Sequence, residues 1–175
     1  MYSLLINEQI FLRAVEPEDL DVMYQMENDP EMWDISNFIE PYSRHLLREY
    51  ISSSQNDVFA DRQLRLMIVW RATGEVAGTL DLDSFEPRHA RAGVGIAVRR
   101  HFRNHNVGTQ ALGLLVEYAF SFLHLHQLYA YVPVHNTASI SLFKKAGFSS
   151  VAVLKDWIHA SEGYEDIYLL QLLNY

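Results

Sequence analysis

The chain has 175 residues, enough for one average domain and too few for a second catalytic module, so it is expected to fold as a single domain spanning 1–175. It contains no cysteine, which excludes disulfide scaffolds, zinc ribbons and thiol catalysis and suits a reducing, cytoplasmic compartment. Hydrophobic residues make up 49% and charged residues 21%, a globular balance, while the formal charge of −8 disfavours nucleic acid and favours a cationic partner.

No run approaches 18 consecutive apolar residues and the first residues show no basic region leading into an apolar stretch, so neither a membrane span nor a signal peptide is expected. In chain order, Gln9 to Val15 alternates as a strand and stops at Pro17. Pro17 with Glu18, Asp19 and Asp21 starts a helix that ends near Asn28, Asp29 and Pro30. Trp33 to Tyr42 is aromatic and irregular, and a second helix runs from Ser43 to Ser53. Three strands follow as an antiparallel meander, Leu64 to Arg71, Val76 to Phe85 and Arg91 to Val98. A long helix begins at Val107 and carries Ala111, Leu114, Leu115, Tyr118 and Phe122 at helical spacing, then Leu128 to Val132 is a strand that must pair in parallel. A helix from Asn136 to Lys145 closes at Gly147, and two strands span Phe148 to Ile158 and Tyr164 to Leu172. The expected fold is α/β: a mixed, mostly antiparallel sheet with helices on both faces.

Chemistry concentrates where the third strand of the meander meets the long helix. Val94, Ile96 and Val98 point one way, while Gly93, Gly95 and Ala97 leave the other face almost bare, a pattern that admits a ligand or another backbone. Asn104, Asn106 and Gly108 tolerate left-handed conformations and stand before a helix whose free amides favour an anion, so the loop can cradle a pyrophosphate. A plain Asn/Gly turn has the same composition.

Arg103, Asn104, His105, Asn106, Val107, Gly108 and Thr109 form a loop that resembles the Arg/Gln-x-x-Gly-x-Gly/Ala loop of the GCN5-related N-acetyltransferase (GNAT) family. Asn136, Ser139, Phe143, Gly147 and Phe148 resemble the Asn-x-x-Ser/Ala-x-x-x-Tyr/Phe-x-x-x-Gly-Phe helix of that family, and the element order is similar over almost the whole chain. The branch it most resembles holds spermidine/diamine and ribosomal-protein alanine acetyltransferases. The resemblance implies the acyl-CoA N-acyltransferase fold and acetyl-CoA as donor. Ile96, Ala97 and Val98 would bind the pantetheine arm through their backbone, with one amide there facing the oxyanion. Amides from Arg103 to Thr109 would hold the diphosphate, Asn136 would bond the pantetheine, Ser139 fills its motif position, and Phe143 would line the thiol end. Asn106 stands where the family usually has a glycine, and asparagine enters the left-handed region more readily than most residues.

Two catalytic positions depart from the pattern. Phe143 replaces a tyrosine credited with protonating the leaving thiolate, and Gly93 or Gly95 replaces a glutamate that often serves as base. The nearest carboxylate is Asp81, which shares a strand face with Thr79 and Asp83 and is the expected base, through a water; a plain hydrogen-bonded strand aspartate is the alternative. His135, directly before Asn136, is the candidate proton carrier. By resemblance Trp33, Asp34 and Phe38, with Trp157 and Tyr164 and the same Asp81, would border the acceptor, since rings and acids hold an ammonium; ordinary core packing is the alternative. His101 with His105, and His124 with His126, have ligand-like spacing, but without cysteines or a carboxylate pairing no metal is expected. The expected activity is acetyl transfer from acetyl-CoA to a primary amine, a polyamine or diamine first. A protein N-terminus or a non-catalytic acyl-CoA sensor are the alternatives, and a homodimer or higher oligomer is open. No nucleic-acid or membrane partner is expected.

Overall fold

Seven strands form one sheet in the order β1-β2-β3-β4-β5-β7-β6, and every neighbouring pair is antiparallel except β4 and β5. The computed structural model describes residues 3–33 and 40–175. Strand β1 (Ile10–Ala14) is followed by a 3₁₀ turn at Pro17–Asp19 and α1 (Leu20–Glu27), as the proline and acidic first turn require. Two four-residue helices, α2 (Pro30–Trp33) and α4 (Val58–Asp61), flank α3 (Arg44–Ser53). Neither short helix has a readable period. Ser43 caps α3 by accepting from the Leu46 amide at 3.0 Å.

The meander is β2 (Leu64–Trp70), β3 (Val76–Glu86) and β4 (Arg91–Val98). After it, α5 (Val107–Ser121) crosses back to β5 (Gln127–Pro133), the parallel crossover expected from the sequence. Helix α6 (Thr137–Lys145) ends at Gly147, whose φ of 96° suits the left-handed turn that stops a helix. The hairpin of β6 (Ser149–Ala160) and β7 (Gly163–Leu173) then inserts β7 between β5 and β6.

Alternation along the strands divides the core between the two faces. Leu66, Ile68, Leu80, Leu82, Leu128, Ala130 and Val132 meet Ala111, Leu112 and Leu115 of α5, a helix apolar on most sides and therefore sunk into the molecule. On the other face Met67, Val69 and Val76 meet Met23 of α1 and Leu47 of α3. Among the described residues no helix is long and apolar enough to cross a membrane.

Candidate active site

Strands β4 and β5 pair at three positions, the last being Gly93 with Tyr129. Beyond it they diverge, so Val94 to Val98 keep β3 on one edge and have no strand on the other. The result is a notch in the sheet with unpaired backbone along one wall, which a chain carrying amide groups can complete as a pseudo-strand. Ile96, Ala97 and Val98, named from the sequence for the pantetheine arm, lie half-exposed on that wall.

The loop at the wide end holds Asn104 and Asn106 at φ 64° and 60°, both left-handed, which is the geometry that two asparagines before a helix permit. Asn106 is the N-cap of α5, so the amides of Val107, Gly108 and Thr109 have no acceptor inside the helix and lie at its positive end. One of the expected amide donors is engaged, and the side chain of the same residue turns back to the strand. The Arg103 amide donates to the Arg100 carbonyl at 3.2 Å, and Arg103 Nε donates to the Val98 carbonyl at 2.9 Å. Arg103 and Arg100 both pair with Glu31 of α2, while His105 is exposed in the loop. Left-handed turn, free helix amides and open strand edge together fit the phosphate and pantetheine parts of an acyl-CoA.

Asn136 caps α6, its Oδ1 accepting from the Ser139 amide at 3.1 Å, which leaves its Nδ2 as a donor and makes the Ser139 amide part of the cap. Phe143 is 3% exposed and meets Phe148 edge-on at 5.0 Å, so its ring belongs to the core beneath the notch more than to an open wall. His135 stands exposed at the end of β5, and its Nδ1 is held by Glu165 of β7.

Asp81 is where the sequence places it, on the face shared with Thr79 and Asp83, opposite Gly95. Its surroundings add a partner that the sequence did not show. Both of its oxygens accept from Arg65, at 2.7 Å from Nε and 2.9 Å from Nη2, so the carboxylate is engaged in a bidentate pair with a guanidinium. The same guanidinium pairs with Glu27 of α1. Burial disfavours the Arg65 charge, but Asp81 and Glu27 overcome that and hold it firmly protonated.

These groups line a cleft of about 390 Å³ between the sheet and α1 and α3, with Tyr42, Tyr50, Leu47 and Asp83. Trp157 is not among them. It sits at the bulge in β6, 57% exposed, and stacks on Tyr131 at 6.4 Å; Tyr131 in turn meets Tyr129 at 5.7 Å, so three rings lead outward from the notch. Tyr164 is exposed against His159. Asp34 and Phe38, and the side chain of Trp33, lie outside the described residues. Sequence reasoning missed Arg65, Glu27, Tyr42 and Tyr50, whose approach to Asp81 is purely tertiary. Among the described residues no three His, Asp or Glu side chains gather as metal ligands.

Residues 9–149 match the acetyltransferase (GNAT) domain family. The uncharacterized N-acetyltransferase p20 of Bacillus licheniformis is 30% identical over 170 residues, covering 97% of this chain and 95% of its own. The spermidine N(1)-acetyltransferase of Escherichia coli K12 is 30% identical over 141 residues, 79% of this chain and 72% of its own. The fold is that of the Vibrio cholerae spermidine N-acetyltransferase in complex with CoA and spermine, with a TM-score of 0.83 at 24% identity over 95% of this chain and 96% of that one.

Proposed function

We propose a polyamine or diamine acceptor for this chain, which belongs to the acetyltransferase (GNAT) family and is an acetyl-CoA-dependent N-acetyltransferase. The observation that carries the proposal is the cleft beside the notch, where Glu27, Asp81 and Asp83 surround the single cation Arg65 and two tyrosines. Three carboxylates against one guanidinium leave an acidic, partly apolar groove. That chemistry holds an aliphatic ammonium by charge and its methylenes by contact. The rings of Tyr129, Tyr131 and Trp157 offer cation–π faces to a second amine further out. The spermidine N(1)-acetyltransferase of E. coli supports the same acceptor class.

In this reading the open edge of β4 and the first amides of α5 hold acetyl-CoA, and Asn136 Nδ2 donates to its pantetheine. The main contribution to rate is placement of a neutral amine against the thioester carbonyl, with a β4 amide facing the developing oxyanion. Phe143 has no proton to give, so the sulfur receives the proton that the attacking nitrogen sheds. His135, with Nδ1 tied to Glu165, has Nε2 left to carry protons between the site and bulk water.

The test is thiol release from acetyl-CoA across spermidine, spermine, putrescine, free amino acids, an aminoglycoside and peptides with free alanine or serine N-termini. Turnover with the polyamines and not with peptides is expected. Turnover with peptides alone would move the acceptor to protein N-termini.

A further inference from the structure

Gly93 is buried at the apex of the notch, the last residue of β4 paired with β5. A Cβ there would run into Asp83 Oδ1, whereas a Cβ on Gly95 would meet Asp81 at an ordinary 3.8 Å. The carboxyl of Asp83 therefore occupies the space that a side chain from β4 would fill at the point where the strands part. Asp83 is the last residue of β3 in regular register with β4 on this side; a bulge follows directly, between Asp83 and Glu86, with Ser84 at φ 47°, and bulges of this kind are over-represented beside active sites. Unlike Asp81, Asp83 forms no ion pair with Arg65, and it opens into the cleft assigned above to the amine.

We propose that Asp83 is the general base of this enzyme, a carboxylate supplied by β3 through the gap left by Gly93. The proposal rests on the amine-acetylation reading and names the residue that prepares the amine. The ammonium N–H bond breaks, its electron pair stays on nitrogen, and the proton goes to Asp83. The neutral nitrogen then attacks the acetyl carbon. As the C–N bond forms the C–S bond breaks, and the second proton leaving nitrogen ends on sulfur. Asp83 returns its proton to water.

The charged and titratable groups around Asp83 are Asp81 on its own strand, Tyr129 from β5, Arg65 from β2, Glu27 from α1 and Tyr50 from α3. Asp83 is exposed at the mouth of the cleft, and desolvation by the protein around it pushes its carboxyl up from the ordinary value; a hydrogen bond with Ser84 opposes this, and the charge of Asp81 adds to it. A base raised in this way is better matched to neutral pH than an ordinary aspartate.

The experiment measures kcat/KM from about pH 6 to about pH 10 for wild type, Asp83→Asn and Gly93→Ala, with two acceptors: the aliphatic amine turned over best, and an aromatic amine that is neutral throughout. With the aliphatic amine, Asp83→Asn is expected to lose about 100-fold at neutral pH and to recover as the pH nears the pKa of the amine, about 10. With the aromatic amine the loss is expected to stay within about threefold, because no proton must be removed before attack. Gly93→Ala displaces the carboxyl without changing its chemistry and should show the same split; CoA affinity and the unfolding temperature confirm that each variant is folded. A loss equal for both acceptors and flat with pH, or no loss, overturns the assignment. If wild type ignores polyamines but acetylates another amine, the polyamine reading falls, and the same split measured on that amine decides for or against Asp83. Transfer to no amine overturns both.

Discussion

Two side chains show how single residues set both stability and function. Asn136 accepts from the Ser139 amide through its oxygen, and in the proposed function its nitrogen donates to the pantetheine, so the two roles separate by substitution. Asn136→Ala should cost about 1 kcal/mol in urea unfolding through loss of the cap and also raise KM for acetyl-CoA. Asn136→Asp keeps the capping oxygen, so it should restore stability and leave KM raised. Asp19, 4% exposed, contributes to the pH dependence of the fold. Burial pushes its carboxyl up, but two hydrogen bonds from Arg13, at 2.7 and 2.9 Å, and one from the Glu16 amide at 2.8 Å overcome this and hold it below the usual carboxylate range. A group with a lowered native pKa stabilises above its unfolded value, near 3.9, and loses that contribution as pH falls toward the native value. Denaturation midpoints taken from neutral pH downward should show this loss in wild type, and Asp19→Asn should flatten the curve there. What the sequence makes legible here is local geometry: a left-handed asparagine or a helix start depends on its immediate neighbours. The ion pair of Asp81 was not legible because its partner is remote. Counting back from the hairpin, with Val69 opposite Val76, puts Arg65 opposite Leu80; the bulge at Ile68/Val69 shifts the register by one and brings Arg65 opposite Asp81.

At the scale of elements, every strand and each of the longer helices was legible to within a few residues, because Pro17, Gly74, Pro87 and Gly147 punctuate strong periods. The helices α2 and α4 were not, since four residues cannot display a period of 3.6. The notch was only half legible. Sequence predicts a parallel β4–β5 pair, but no local pattern marks that the pair stops after Gly93. Close packing of β3 on β4 next to the notch gives a sharp test. A Cβ on Gly78 would collide with the Ala97 carbonyl oxygen and come within 3.0 Å of Val98 Cα, so Gly78→Ala must push the open edge of β4, proposed to hold acetyl-CoA, aside. The expected cost is about 1–3 kcal/mol, read as a lower unfolding temperature, together with a higher KM for acetyl-CoA. Gly113 is the contrasting case: it is exposed in the middle of α5 with nothing within 4 Å of an added Cβ. Gly113→Ala should stabilise the protein by about 1 kcal/mol and leave both KM values alone.

Across the whole molecule the charges are sorted by task. Arg100 and Arg103, both paired with Glu31, flank the loop proposed to hold the phosphates, while Glu27, Asp81 and Asp83 line the cleft proposed for the acceptor, in a chain carrying −8 overall. A polycation is drawn to such a surface from beyond contact distance, and that attraction is screened over a length of about 30 Å at 0.01 M salt and about 10 Å at 0.1 M. A monoamine feels the same field with one charge. If the cleft holds the acceptor, raising salt between those limits should increase KM for spermine several-fold, increase KM for a simple monoamine much less, and leave kcat for both nearly unchanged. Glu27→Gln should weaken the salt response for spermine, since it removes one wall charge and leaves the Arg65–Asp81 pair in place. Equal salt responses for the two amines would mean that the second and third ammonium groups never meet the acidic surface. The acceptor would then have to be a molecule with one charge, held by shape.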